Sequence, residues 1–271
     1  LVVLGFAGMI VTLFRHAPFT VPAMALPTLG MLALARISGM SLTVPAGQWR
    51  RVLWLALFNI VGWNALVIIG VSLLPSGRAA LLGYTMPLWS MTLSILFLGE
   101  RLTVRSAIGL LLGLSGIVVL VGGSVEGMLQ APAGVACMIL GAWSWAIGVV
   151  LFKRLPVTMP TSSLTGWTML LGSLPLLVLA VPLETSRLSM PSLAPIIGML
   201  YNILVAFMFC YWAWNRIVLM VPVSVSSLSS LSTPLIGVLG GVVFLGEPLG
   251  WQEIAAALLI LGAVGSVSLK R

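Results

Sequence analysis

The sequence predicts an all-α membrane protein with ten transmembrane helices, arranged as two inverted five-helix repeats around a central cavity. Composition, the spacing of apolar runs and an internal duplication predict this fold. Hydrophobic residues make up 60% of the chain and charged residues 7%, whereas about 25% of residues are charged in ordinary soluble domains. A helical span needs about 20 apolar residues. The 271 residues can therefore supply ten spans with short links, and they leave no room for a soluble domain.

Charged residues or Pro, Gly and Ser clusters bound the apolar runs and set the approximate limits of the spans. The runs are 1–14, 18–37, 52–74, 77–98 and 104–122 in the first half, and 132–152, 161–182, 194–215, 222–245 and 250–269 in the second. The first run is shorter than a bilayer requires. We therefore expect the sequence to begin partway through its first helix.

The positions of the basic residues test this helix count independently. If the first helix starts in the cytoplasm, ten of the 13 Lys and Arg residues fall in cytoplasmic links, and only Arg15, Arg78 and Arg187 fall outside. Cytoplasmic links of membrane proteins carry this excess of positive charge. We therefore predict that both termini are cytoplasmic. The basic residues occur singly or in pairs between apolar runs, so we expect the lipid bilayer as the partner and no nucleic acid.

A duplicated motif relates the two halves of the chain. The stretch ILFLGERL at 95–102 recurs 147 positions later as VVFLGEPL at 242–249. The same offset aligns Pro75 with Pro222, and it also aligns the later prolines at 87 and 234. The chain therefore consists of two copies of one unit.

The duplication predicts five-helix repeats at residues 1–125 and 126–271, the first helix being truncated. Because each repeat has an odd number of spans, the second enters the membrane in the opposite orientation. Inverted repeats are typical of alternating-access transporters, whose site lies near the midplane between the halves.

The two stretches that close the halves resemble one known family. They are YTMPLWSMTLSILFLGERLTVRSAIGLLLGLSGIVVLV and SLSTPLIGVLGGVVFLGEPLGWQEIAAALLILGAVGSVSL. Each has a proline, then Leu-Gly-Glu, then a Gly-rich helix, and in this the chain resembles the EamA-type members of the drug/metabolite transporter superfamily. The segments GYTMPLW and GAWSWAIG are most similar to bacterial exporters of amino acids, including aromatic ones, of the YddG type. The resemblance implies a multi-pass exporter of the bacterial inner membrane whose first, third, fourth, sixth, eighth and ninth helices line a central cavity.

Polar and aromatic residues near the middle of the spans are the candidate ligand contacts. A buried amide or hydroxyl in a membrane must hydrogen-bond to a neighbouring helix, water or a ligand. Taken singly, each residue could equally join two helices. Together they lie mostly on the helices that the resemblance assigns to the cavity. The candidate substrate-binding residues are Asn59, Trp63, Asn64, Tyr84, Trp143, Trp145, Tyr201, Asn202 and Ser232.

Two glutamates and two prolines have a structural interpretation. Glu100 and Glu247 could couple protons or bind ligand, since ionisable groups within membranes are usually functional. They stand at helix ends, however, and we favour capping of the N-terminus of the next helix. Pro87 and Pro234 fall in mid-helix, where proline produces a kink that could serve as a hinge.

The sequence leaves several functional alternatives. The substrate could be another small metabolite or a drug-like compound instead of an amino acid, and a channel or lipid scramblase is a rival class. An intramembrane enzyme is disfavoured because the only histidine, His16, lies at a helix end and the spans contain no central carboxylate. We expect no catalytic residue, metal site or cofactor. The sequence is compatible with both proton antiport and facilitated diffusion. It does not define the oligomeric state, and a monomer is plausible.

Overall fold

The computed structural model of the chain describes residues 20–74, 79, 82–121, 131–184, 200–233 and 250–268. The regular elements in these ranges are helices, and no strand occurs among them. We number the helices α1 to α9 in chain order. They are α1 (Thr20–Ile37), α2 (Trp49–Ala56, π-helical Leu57–Gly62 and Trp63–Leu73), α3 (Met86–Leu98), α4 (Val104–Val121), α5 (Pro132–Arg154), α6 (Thr161–Glu184), α7 (π-helical Asn202–Cys210 and Tyr211–Met220), α8 (Val223–Ser230) and α9 (Trp251–Ser268).

Three helices in the described ranges are long and apolar enough to cross a membrane. They are Trp49–Leu73, Pro132–Arg154 and Ile203–Met220. Shorter apolar helices of 10–17 residues lie within α1, α3, α4 and α9. The predicted first span, 1–14, lies outside the described residues. The helical fold is therefore confirmed, whereas the count of ten spans stays a prediction.

Corresponding helices of the two halves pack against each other. Helix α4 packs against α9, and adding 147 to the bounds of α4 gives the bounds of α9. Helix α1 likewise packs against α6, and adding 147 to the bounds of α1 gives 167–184, within α6. Helix α3 also packs against α8, which lies just before the segment equivalent to α3. Ile117 of α4 and Ile260 of α9 are almost completely buried, and they belong to one hydrophobic cluster. The contact surface between the halves is thus built from equivalent parts of each.

The predicted mid-helix kink at Pro87 is wrong. Helix α3 begins at Met86, so Pro87 lies in its first turn. Tyr84 and Thr85 form a turn before it, in which the Thr85 N–H donates to the Leu82 carbonyl at 3.2 Å. Proline lacks an N–H group and is tolerated in the first turn, where that group would have no helical partner. Pro87 thus starts a helix, and its counterpart Pro234 lies outside the described residues.

Candidate functional site

A cavity of about 370 Å³ lies between α2, α3, α5, α7 and the region of α8. This volume falls in the range of small-molecule sites, about 300–1,000 Å³. The wall is mostly apolar, and its polar atoms come from amide, hydroxyl and indole groups. The lining side chains are Asn59, Ile60, Trp63, Asn64, Met86, Trp145, Phe207, Cys210, Tyr211, Ala213, Trp214, Ile217, Ser226, Ser229, Ser230 and Thr233.

The cavity is bordered by equivalent positions of the two halves. Three lining residues of α2 have lining counterparts in α7 at the offset of 147. The pairs are Ile60 and Phe207, Trp63 and Cys210, and Asn64 and Tyr211. The cavity therefore lies between the halves, at the middle of both helices.

Both α2 and α7 contain a π segment beside the cavity, and adding 147 to the bounds of the α2 segment gives 204–209, within the π segment of α7. The lining residues Asn59, Ile60, Phe207 and Cys210 lie in these segments, and the other lining residues of α2 and α7 are α-helical. Such segments interrupt the usual backbone pattern and occur frequently at functional sites. In α2 the Phe58 carbonyl accepts a hydrogen bond from the Ser144 hydroxyl at 2.8 Å. The Ile60 carbonyl accepts one from the Asn64 side-chain amide, also at 2.8 Å. Two polar residues at mid-depth thus stabilise the π segment.

Trp145 stands at the centre of an aromatic cluster on the cavity wall. Its ring centroid lies 5.4 Å from that of Trp63, and 6.1 Å from those of both Tyr211 and Trp214. The rings meet at tilted or edge-on angles, the arrangement that aromatic pairs prefer. Trp63 and Trp145 of the sequence prediction are thus brought together, and both line the cavity.

Tyr84 and Trp143 do not line this cavity. Tyr84 is buried in a hydrophobic cluster with Leu228 and Leu231. The Trp143 side chain is 38% exposed, and its ring packs on Trp89 at 5.1 Å. Trp143 and Trp145 are two positions apart, so they point to different sides of α5. Only one of the two can face the cavity.

Tyr201 and Ser232 also lie away from this wall. Tyr201 is 44% exposed at the start of α7. The Ser232 hydroxyl donates to the Ser229 carbonyl at 2.6 Å, and Ser232 is not a lining residue. Asn202 begins the π segment, but its side chain lies outside the described residues. Among the described residues, the serines that line the cavity are Ser226, Ser229 and Ser230.

Sequence reasoning missed the lining face of α7. An α-helical stripe through Tyr201 predicts Trp212 and Asn215 on that face. Asn215 instead donates to the Thr165 hydroxyl at 2.9 Å, inside the bundle. The π segment has more residues per turn than an α-helix, so the stripe changes register and Trp214 faces the cavity. Adding 147 to the numbers of the α2 lining residues Ile60, Trp63 and Asn64 gives Phe207, Cys210 and Tyr211, so the duplication would have identified this face of α7.

Glu100 joins the two halves at one end of the bundle. Gly99 ends α3 with a positive φ of 67°, a conformation that favours glycine. The Glu100 carboxylate beyond it accepts hydrogen bonds from the backbone N–H groups of Val223 (2.9 Å) and Ser224 (3.4 Å), and it pairs with Lys153 at 3.4 Å. The carboxylate therefore caps α8 in the other half, and the predicted capping of the next helix, α4, is wrong. Glu247 lies outside the described residues.

Further polar contacts close the same end, where α2 begins and α3 and α5 end. They are Arg154 Nη1 to the Phe97 carbonyl at 3.0 Å, Arg51 Nη1 to the Pro156 carbonyl at 2.6 Å, Gln48 Nε2 to the Thr158 hydroxyl at 2.9 Å and the Thr158 N–H to Gln48 Oε1 at 2.9 Å. Each contact joins a residue before position 125 to one after it. We call these contacts and those of Glu100 the Glu100 network. It holds the halves together at this end.

Comparison with known proteins identifies the relatives of the chain. The model of the EamA-like transporter family matches residues 2–122 and again residues 132–269. A "Probable amino-acid metabolite efflux pump" of Salmonella typhimurium is 28% identical over 199 residues, which are 70% of this chain and 67% of that protein. "Protein PecM" of Dickeya dadantii is 30% identical over 224 residues, 81% of this chain and 74% of the relative. An "Uncharacterized inner membrane transporter YedA" of Escherichia coli K12 is 29% identical over 197 residues, 72% of this chain and 62% of that protein.

A solved crystal structure has the same fold. It matches with a TM-score of 0.78 over 93% of this chain and 87% of the other, at 21% sequence identity. The family model covers both halves, which agrees with the duplicated Leu-Gly-Glu motif. The chain therefore belongs to the EamA-like transporter family of the drug/metabolite transporter superfamily, and it is a transporter and not an enzyme.

Proposed function

We propose that the protein exports small metabolites, chiefly amino acids including aromatic ones, across a bacterial inner membrane by alternating access. The observation that supports the proposal is the aromatic-walled cavity bordered by equivalent positions of α2 and α7, each of which contains a π segment beside the cavity. Flat rings suit an amphipathic solute with an apolar side chain. The relatives named amino-acid metabolite efflux pumps support the same substrate class.

The packing between the halves supports the alternating-access mechanism. Contacts between equivalent helices are those expected when a two-fold axis relates inverted repeats. In this mechanism the halves rock about the cavity, which opens to one face at a time. The Glu100 network closes one end in this structure. Because Arg51, Lys153 and Arg154 lie there, we assign this end to the cytoplasm by the positive-inside rule, and we propose that both termini are also cytoplasmic.

Counterflow in liposomes tests the proposal. Vesicles loaded with unlabelled L-phenylalanine should accumulate external labelled L-phenylalanine transiently and saturably, whereas a nucleobase and a sugar should give no signal. The same assay with and without a pH gradient separates antiport from facilitated diffusion. Flux that does not saturate and shows no counterflow would contradict the carrier and favour a channel.

Trp143→Ala is expected to change transport less than about twofold. The Trp143 ring lies outside the cavity and contacts Trp89, so its loss removes one aromatic pair of about 0.5–1.5 kcal/mol and no ligand contact. Initial rates of L-phenylalanine counterflow, normalised to folded protein, measure this. A loss as large as that of a cavity tryptophan would show that the transport path passes Trp143.

A further inference from the structure

We infer that Asn59, seated on Gly148, forms with the indole N–H groups of Trp63 and Trp145 a hydrogen-bond donor site for a planar oxygen group of the ligand, such as a carboxylate. The inference rests on the proposed function, since it takes the cavity to be the transport site. It assigns a chemical role to one part of the wall.

Asn59 is a polar residue of the cavity wall. Its side chain is 7% exposed and lines the cavity, and within the described ranges it makes no hydrogen bond. The nearby polar residues Asn64 and Ser144 both donate to backbone carbonyls of α2. An amide without a hydrogen-bond partner in an apolar setting carries an energetic cost. This cost is removed when a ligand or water supplies the partner.

Two further donors line the same cavity. The indole N–H groups of Trp63 and Trp145 also donate to none of the described residues, although the rings are 5.4 Å apart and line the same cavity. Trp63 lies one turn after Asn59 on α2, and Trp145 lies about one turn before Gly148 on α5. The three groups therefore occupy neighbouring positions where α2 crosses α5. Indoles only donate and an amide nitrogen also donates, so the complementary ligand group is an acceptor.

Gly148 positions the amide. A Cβ atom at residue 148 would overlap the oxygen, carbon and nitrogen of the Asn59 side-chain amide. Any larger residue would therefore displace the amide from its seat. Gly141 on the same helix makes a matched control, because a Cβ there would meet Val67 at 3.4 Å, an ordinary contact.

Equilibrium binding to the purified protein tests the donor site with three labelled probes. L-Phenylalanine carries both polar groups, hydrocinnamate keeps only the carboxylate, and phenethylamine keeps only the amine. Asn59→Ala should weaken the binding of L-phenylalanine and hydrocinnamate by about tenfold, which is about 1.4 kcal/mol, because the variant loses a hydrogen bond to a charged group. The same substitution should weaken the binding of phenethylamine by less than about twofold.

The glycine variants test the positioning role. Gly148→Ala should reproduce the selective loss for the two carboxylates, and adding it to Asn59→Ala should cause no further loss, because the amide is already absent. Gly141→Ala should bind all three probes like the wild type. If Gly148→Ala fails to fold, the donor site is tested by whether Asn59→Ala weakens the binding of the two carboxylates more than that of phenethylamine.

If Asn59→Ala lost affinity equally for all three probes, or lost affinity for none of them, the donor site would be overturned. Tight binding of phenethylamine by the wild type, with weak binding of both carboxylates, would also overturn it. Wild-type protein that binds hydrocinnamate but not L-phenylalanine would keep the donor site and overturn the amino-acid assignment. Protein that binds none of the three would overturn both.

Discussion

Glu100→Ala protein is expected to lose about nine-tenths of its transport and to unfold about 2–8 °C below the wild type. The substitution removes the acceptor of two backbone N–H groups at the start of α8 and the partner of Lys153. Loss of an N-cap costs about 1–2 kcal/mol. The loss destabilises the conformation in which this end is closed. A change of about 1.4 kcal/mol shifts the equilibrium between the closed and open conformations tenfold.

The measurement pairs a thermal melt in detergent with counterflow in liposomes. Glu100→Gln, which keeps an acceptor oxygen but no charge, should fall between alanine and the wild type. Arg101→Gln is the matched control, since Arg101 is the exposed neighbour and its loss alters the local charge without breaking the cap. Wild-type melting and transport in Glu100→Ala would mean that the network does not stabilise the closed state.

Trp145→Ala is expected to lower transport of L-phenylalanine by about tenfold or more. The variant loses three ring contacts, to Trp63, Tyr211 and Trp214, each worth about 0.5–1.5 kcal/mol. The loss opens the wall on the side where the ligand would pack. Trp145→Phe should retain part of the activity because it keeps a ring at the centre of the cluster.

Initial counterflow rates at several substrate concentrations measure the effect, with Trp143→Ala as the control two positions away. The concentration for half-maximal rate should rise in Trp145→Ala, while the yield of folded protein stays within about twofold. Equal rates for Trp145→Ala and Trp143→Ala would contradict the assignment of the cluster to the ligand site.

Most of the correct predictions from the sequence come from its internal duplication. The 147-residue offset, read from Leu-Gly-Glu, matches α4 with α9 at both ends. It also relates the lining residues of α2 to those of α7, because duplicated helices keep their faces. The sequence also predicted four lining residues because polar or aromatic groups are uncommon at the middle of apolar spans. They are Asn59, Trp63, Asn64 and Trp145.

What the sequence could not predict depends on tertiary contacts. The π segments are not encoded by a local motif, so the register of α7 after Cys210 could not be read from α-helical spacing. The helix that Glu100 caps could not be read either, since Val223 is 123 positions away. Tyr84 and Trp143 were predicted as ligand contacts although they lie away from this cavity, because mid-depth alone does not say which face of a helix meets the cavity.

The most direct test of the cavity as the transport site is the modification rate of Cys210. This cysteine lines the cavity, and Cys137→Ser leaves it as the only thiol in the chain. A saturating concentration of a transported solute should slow its reaction with a small methanethiosulfonate reagent by about fivefold or more, because a bound solute covers the sulfur. A solute that the variant transports, yet that leaves this rate unchanged, would show that transport follows another path.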